Sequence, residues 1–588
     1  MTRKLSLLFL LLAVAASLTQ TYAEETIPLE EIQPGDSGEW RTVVSGSEVE
    51  SFPLTVVGIL DSFAGAGVPV ILCRASDSIN TATGPVSGMS GSPVYIKGRL
   101  AGAYAYGFPW SKDKTLIGVT PIGKMEPLFN YPDIPYRDAL NAPIANSETT
   151  ASLGLPNNFA SIRTSTESTT SPRPLPIPLL ASGISAKTLD AIQPWLEKNN
   201  LFVTAGAGGR TQKTDADFEA GSPLAVILAS GDLTLGGVGT ITRREGDRVI
   251  AFGHPMLSAG SVELPIGSAE VVDVVSSYRI SFKLSNIGEV AGTLWQDSTT
   301  GIQAELGRIP YMIPITIHSD AAIKNPIEGK LAEHRDLTPS MALTYAAEGI
   351  LTSREGPDEA TVRGQLSIDI DGYDEPLEFS RVGVGFTGAI DLLFTFSDYL
   401  NAVVKGSQEF PRLKNISYDF KTENEEKRQL LHSIRLESSR IQADKPVELT
   451  IVTRKRNGEL AHHTVEVPLP DAPDGSSFSL FVADADTLRS FDQIATYNPT
   501  RSLDQLITEL RQIKDNGSIY VQLLRPSPGL RLDGRNLEEL PPSVLRLYQS
   551  SLEKPGEKML RESIVWETAI PVPGEFSGSS RIQFTTEP

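Results

Sequence analysis

Apolar residues in the first half of the chain come in short runs, Thr42-Val43-Val44, Leu54 to Leu60 and Val68 to Cys73, rich in β-branched residues and interrupted by glycine and serine. Runs this short cannot sustain the apolar face of a helix through several turns, whereas a strand needs only a few residues. The pattern returns at Leu224 to Leu228, Gly239 to Thr242, Val249 to Phe252 and Ile280 to Leu284. The chain is therefore expected to be mainly β. At 588 residues with 40% hydrophobic side chains it is long enough for several domains, each with its own core.

Composition suggests where those domains divide. Met1 to Ala23 carries Arg3 and Lys4, then an apolar run from Leu5 to Leu18, then small residues, the layout of a cleavable signal peptide. A first β unit over 24–140 is followed by a segment rich in Pro, Ser, Thr and Asn at 141–185, which reads as a linker or long surface crossing. A second β unit over 186–390 opens with a helix predicted at Ala186 to Lys198. Ile390 to Val404 has helical length and heads a helical connector at 391–430, whose charged stretch Glu423 to Arg428 reads as a solvated helical face. Period-two alternation around Asn457-Gly458 predicts a small β-sandwich over 431–500. In the remaining α/β segment, 501–588, Ser502 and Gln505 have capping-box spacing ahead of a leucine-rich helical face.

The chemistry concentrates in Gly88-Met89-Ser90-Gly91-Ser92-Pro93. Glycines on either side permit backbone angles closed to other residues and leave Ser90 Oγ uncrowded. The backbone N–H groups of Gly88 and Ser90 can then converge as an oxyanion hole. A hairpin should follow, Val94 to Ile96, a Lys97-Gly98 turn and Arg99 to Tyr106, with small residues at Ala101, Gly102, Ala103 and Ala105. A plain Gly/Ser/Pro turn without chemistry has the same spacing. Of the six histidines, His254 alone ends an apolar strand inside a Gly/Pro turn. His462 and His463 fall in a solvent-edged strand, His432 in a charged helix, and His318 and His334 near loop or strand ends.

The serine motif, its apolar strand and the following Leu100-Ala101-Gly102-Ala103 resemble the serine segment of the SpoIVB sporulation peptidase family, serine endopeptidases of the chymotrypsin-like clan. Gly237-Val238-Gly239-Thr240-Ile241-Thr242 and Val249 to Pro255 resemble its histidine segment, so the likeness spans roughly residues 27–300. It implies two chymotrypsin-like β-barrel units, with the C-terminal β-sandwich and a few helices beyond them. It also implies Ser90 as nucleophile, His254 as base and acid, and an acyl-enzyme route to peptide hydrolysis. Two features depart from the family: its histidine precedes its serine, and its aspartate lies shortly before the serine. The nearest upstream acid here is Asp77, with Asn80, Glu263 and Asp273 as other candidates to orient the imidazole. The competing expectation is a non-catalytic cell-envelope binding or structural protein on the same scaffold.

Other classes are excluded more easily. A net charge of −20 argues against a nucleic-acid partner. Cys73, the single cysteine, can form neither an intrachain disulfide nor a thiolate metal cluster, and no lipobox cysteine follows the signal segment. Gly206-Ala207-Gly208-Gly209 lacks the lysine-serine ending of a nucleotide loop, and no His-Glu-x-x-His pair occurs. No cofactor or metal is expected. The expected partner is a polypeptide substrate, an envelope signalling protein or the chain itself, met in the periplasm or outside the cell with no membrane span once the signal is removed.

Overall fold

A computed structural model describes residues 25–587, apart from 142–172, 489–500 and several shorter stretches. The signal segment and most of the linker lie outside the described residues.

Six antiparallel strands form the first unit: β1 (Ser37–Thr42), β2 (Glu50–Leu60), β3 (Val70–Arg74), β4 (Pro93–Ile96), β5 (Arg99–Gly107) and β6 (Leu116–Pro121). They pair in the ring order β1-β2-β3-β6-β5-β4 and back to β1, which closes a barrel and leaves no open edge. Its core holds Trp40, Ile71, Cys73, Val94, Tyr104 and Val119. Trp40 stacks on Phe52 at 4.8 Å between centroids and meets Tyr104 edge-on at 5.6 Å.

The second unit repeats the plan. Its strands are β7 (Pro223–Gly231), β8 (Thr234–Glu245), β9 (Arg248–Ala251), β10 (Gly260–Val275), β11 (Ser281–Ser298) and β12 (Gly301–Leu306). They close in the order β7-β8-β9-β12-β11-β10, which is the order of the first ring strand for strand. The fold is thus mainly β with two six-stranded barrels of one topology.

The long β10–β11 hairpin reaches onto the first barrel. Val271 exchanges backbone hydrogen bonds with Gly46, and Ser281-Phe282 pair in parallel with Val86-Ser87 just ahead of the serine motif. Residues of the linker join the barrels a second time: Arg173-Pro174 pair with β5, and Leu179–Ser182 pair with β8.

Beyond the barrels, β13 (Met312–Ser319), β14 (Ile327–Ala332), β15 (Thr361–Ile370), β16 (Leu377–Val384) and β17 (Leu413–Glu423) extend the second sheet from β7. Helices of residues Thr338–Leu351 and Gly385–Lys405 pack on it, and their apolar faces merge with the second barrel's interior into one core. The helix at Ala186–Lys198 forms over its expected span, and the capped helix begins as expected, with Ser502 and Gln505 bonding reciprocally, but ends at Leu510, short of the expected stop at Asn516-Gly517.

Two expectations about the connector need correction. Helix ends at Lys405, and Glu423 to Arg428 is a turn between β17 and β18 (Arg428–Leu436), so His432 is an exposed strand residue. Charge density marked the segment as solvated but carried no periodicity to separate helix from turn. The sandwich also draws on more of the chain than 431–500. One sheet contains β18, Val447–Lys455 and Leu460–Val467; the other takes Ser477–Ala483, Ser518–Leu532, Lys558–Pro571 and Ser579–Thr585, with one shared core.

Candidate active site

Both site residues come from equivalent places in the two barrels, the connection between the third and fourth strands. In the first barrel that connection runs from β3 to β4. It forms a short helix, Ser78–Thr83, then Val86-Ser87, then the serine turn. Gly88 and Gly91 have φ of +95° and +98°, in the left-handed region open to glycine. An ideal Cβ on Gly91 would lie 1.9 Å from the Thr240 carbonyl oxygen and 2.4 Å from Phe252 N, so the second barrel touches the turn's bare backbone.

In the second barrel the connection runs from β9 to β10. Phe252 has φ +70°, a costly conformation for a bulky residue, and Gly253 follows at +69°. Packing holds it: the buried Phe252 ring fills the space left by Gly239, and Gly253 lies against the methyl groups of Ala103 and Ala105. Thr120 Oγ1 of the first barrel donates to the Gly253 carbonyl at 2.6 Å. The small residues of β5 therefore make room for the turn that delivers His254.

The two side chains meet. Ser90 Oγ and His254 Nε2 are 2.8 Å apart. His254 Nδ1 lies 2.8 Å from the Pro255 carbonyl oxygen, which can only accept. That contact assigns the proton to Nδ1 and leaves Nε2 as acceptor for the Ser90 hydroxyl, the tautomer a general base requires. The rings' equal topology explains why chain order is no obstacle, because exchanging the two barrels preserves the geometry of the pair.

Asp77 does not orient the imidazole. It is the N-cap of the Ser78–Thr83 helix, with its oxygens accepting from Asn80 N at 2.8 Å and Asn80 Nδ2 at 2.9 Å. Asn80 in turn accepts from Tyr104 Oη. Glu263 is a half-buried residue of β10, and Asp273 is exposed and caps its own neighbour Val274. The acid that shapes the histidine loop is Asp297, near the end of β11. Its carboxylate accepts from the N–H groups of Met256 at 2.8 Å, Leu257 at 2.6 Å and Ala259 at 3.2 Å. Burial raises its pKa, and these loop N–H groups oppose the rise. Asp297 thus acts on His254 through the backbone, by holding the loop that begins at Pro255.

Each carbonyl of the serine turn is also held. Thr240 Oγ1 donates to Gly88 O at 2.9 Å, Thr240 N to Ser90 O at 2.8 Å, and Thr242 Oγ1 to Gly91 O at 2.7 Å. The Met89 carbonyl accepts from both Ser92 N and Ser92 Oγ, at 3.0 and 2.7 Å. A trans peptide points its N–H opposite its C=O, so Ser92 turns the Ser90 N–H away from the turn. Among the described residues that N–H has no hydrogen-bond acceptor, which suits it to an oxyanion. Thr240, Thr242 and Ser92 stood in sequence only as members of the quoted motifs, with no role assigned, and nothing marked Asp297.

Lys283 of β11 is the least expected neighbour. It is 1% exposed, its stem packs against Gly88, and its Nζ donates to Thr42 Oγ1 at 2.7 Å and Thr240 Oγ1 at 3.4 Å. Burial lowers its pKa from 10.5 to about 7. Between pH 7 and 10.5 the unfolded chain binds more protons than the folded one, so this residue's penalty on folding is full below pH 7 and fades as pH rises. Lys283→Met should therefore raise the melting temperature at pH 6, by an amount on the order of a few kcal/mol of stability, with the gain shrinking towards pH 10. Melting curves of both proteins across that range check it; a gain independent of pH would contradict a titrating buried amine.

No protein-family model matches the chain, and no curated protein or solved structure matches it.

Proposed function

We propose that the chain is a serine endopeptidase that cleaves peptide bonds through an acyl-enzyme. The 2.8 Å contact between Ser90 Oγ and His254 Nε2, in the tautomer that accepts the serine proton, carries this reading. His254 removes the Ser90 proton as Oγ attacks the peptide carbonyl, and then protonates the leaving amine. The Ser90 N–H, with that of Gly88 as its expected partner, stabilises the oxyanion. The Pro255 carbonyl fixes the tautomer in place of a carboxylate. The resemblance of the serine and histidine segments to the SpoIVB peptidase family supports the same assignment. The reading includes a location in the periplasm or outside the cell, for which the layout of Met1 to Ala23 is the support. Among the described residues no helix is long and apolar enough to cross a membrane.

One observation favours a second reading, a non-catalytic envelope scaffold. Ser90 is 0% exposed and His254 1%, so a substrate reaches Oγ only after the site opens. Reaction of the purified chain with a fluorophosphonate, followed by mass mapping, separates the two. The peptidase reading expects an adduct on the peptide containing Ser90 that is lost in Ser90→Ala. An unmodified Ser90 at high probe concentration and long exposure would assign the pair to the scaffold.

A further inference from the structure

We propose that Thr240 and Lys283 are a positioning pair for the oxyanion turn: Lys283 orients the Thr240 hydroxyl, and Thr240 holds the Gly88 carbonyl and with it the peptide groups around Ser90. This rests on the hydrolase reading of Ser90.

A threonine hydroxyl has one proton and two lone pairs. Lys283 Nζ can only donate when protonated and has two N–H groups when neutral. Two hydroxyl oxygens, Thr42 Oγ1 at 2.7 Å and Thr240 Oγ1 at 3.4 Å, receive them. With a lone pair of Thr240 engaged, its proton is directed to the Gly88 carbonyl at 2.9 Å. The Thr240 backbone N–H meanwhile grips the Ser90 carbonyl, so one residue clamps the turn on both sides of Met89. The Lys283 stem completes the support: an ideal Cβ on Gly88 would come within 3.1 to 3.3 Å of Lys283 Cβ, Cγ and Cδ, so the lysine forms the floor of the turn. Among the described residues no carboxylate pairs with Lys283, which sets it apart from a structural ion pair. A buried amine without an acid partner costs stability, and an apolar residue of similar length would fill the same space at lower cost.

The test is fluorophosphonate labelling of the full mature chain, resolved into reversible probe affinity and the rate constant of bond formation, for wild type, Lys283→Met, Thr240→Val and Thr240→Ser, with a melting temperature for each. Removing one direct oxyanion donor slows reaction by about 10²- to 10³-fold, so an indirect clamp should be worth about 10- to 100-fold. We expect that loss in the bond-forming constant of Thr240→Val and Lys283→Met, with affinity unchanged and Lys283→Met at least as stable as wild type. Thr240→Ser, which keeps the hydroxyl, should recover to within about threefold. A loss in Lys283→Met that merely tracked a lowered melting temperature would overturn the proposal. So would wild-type rates in both Lys283→Met and Thr240→Val, leaving the hydrolase reading intact. Absence of labelling in the wild type would overturn both.

Discussion

Substituting His254 by alanine should lower the turnover of a cleavable peptide by about 10⁵- to 10⁶-fold, Ser90→Ala should lower it as far, and the double variant should be no worse than either. This is the expected result if the 2.8 Å contact is a working nucleophile and base, because neither group contributes to acylation without the other. Asp77→Ala gives the informative contrast. Loss of a triad carboxylate would cost about 10⁴-fold in turnover, whereas loss of a helix cap costs about 1 kcal/mol of stability. Since Asp77 is committed to Asn80, its variant should turn over peptide within a fewfold of wild type and melt at lower temperature. A 10⁴-fold loss in Asp77→Ala would show that the acid reaches the imidazole during turnover.

Gly91→Ala should destabilise the chain by more than about 4 kcal/mol and abolish probe labelling together. The new methyl would stand 1.9 Å from Thr240 O in β8 and 2.4 Å from Phe252 N in the connection that delivers His254, and φ is +98°. Relief would require the second barrel to move off the serine turn, taking His254 with it. Gly98→Ala isolates the conformational part. It has φ +76° with nothing within 4 Å of the built Cβ, and should cost about 1 to 2 kcal/mol and leave labelling unchanged. Urea unfolding midpoints and labelling rates for the pair measure both effects; equal costs would mean that the inter-barrel contact is not what Gly91 protects.

Local pattern was enough to find most strands of the two barrels and the start of the capped helix at Leu503–Leu510, since alternation, glycine breaks and a capping box act over a few residues, but it missed β10 and β12 and placed a strand at Thr42 to Val44 where β1 ends. It was not enough for Glu423 to Arg428, where a turn joins β17 to β18 and charge density was read as a helical face. The reach of the sandwich was also hidden, because strands from residue 477 to 585 pair only after long excursions of chain.

At the site the division is sharper. Glycine spacing around Ser90 and a histidine ending an apolar strand at His254 are local facts, so both candidates could be picked out along the chain. That the two meet, that Asp77 is a helix cap, and that Thr240, Lys283, Ser92 and Asp297 hold the turn and the loop in place emerged from the folded contacts. Apart from Ser92, those supports are remote in sequence: Thr240 and Lys283 reach the serine turn from the other barrel, and Asp297 reaches the histidine loop from β11, the strand hairpinned to β10. Hydrogen bonds between residues separated by many strands leave no periodicity in the chain that makes them.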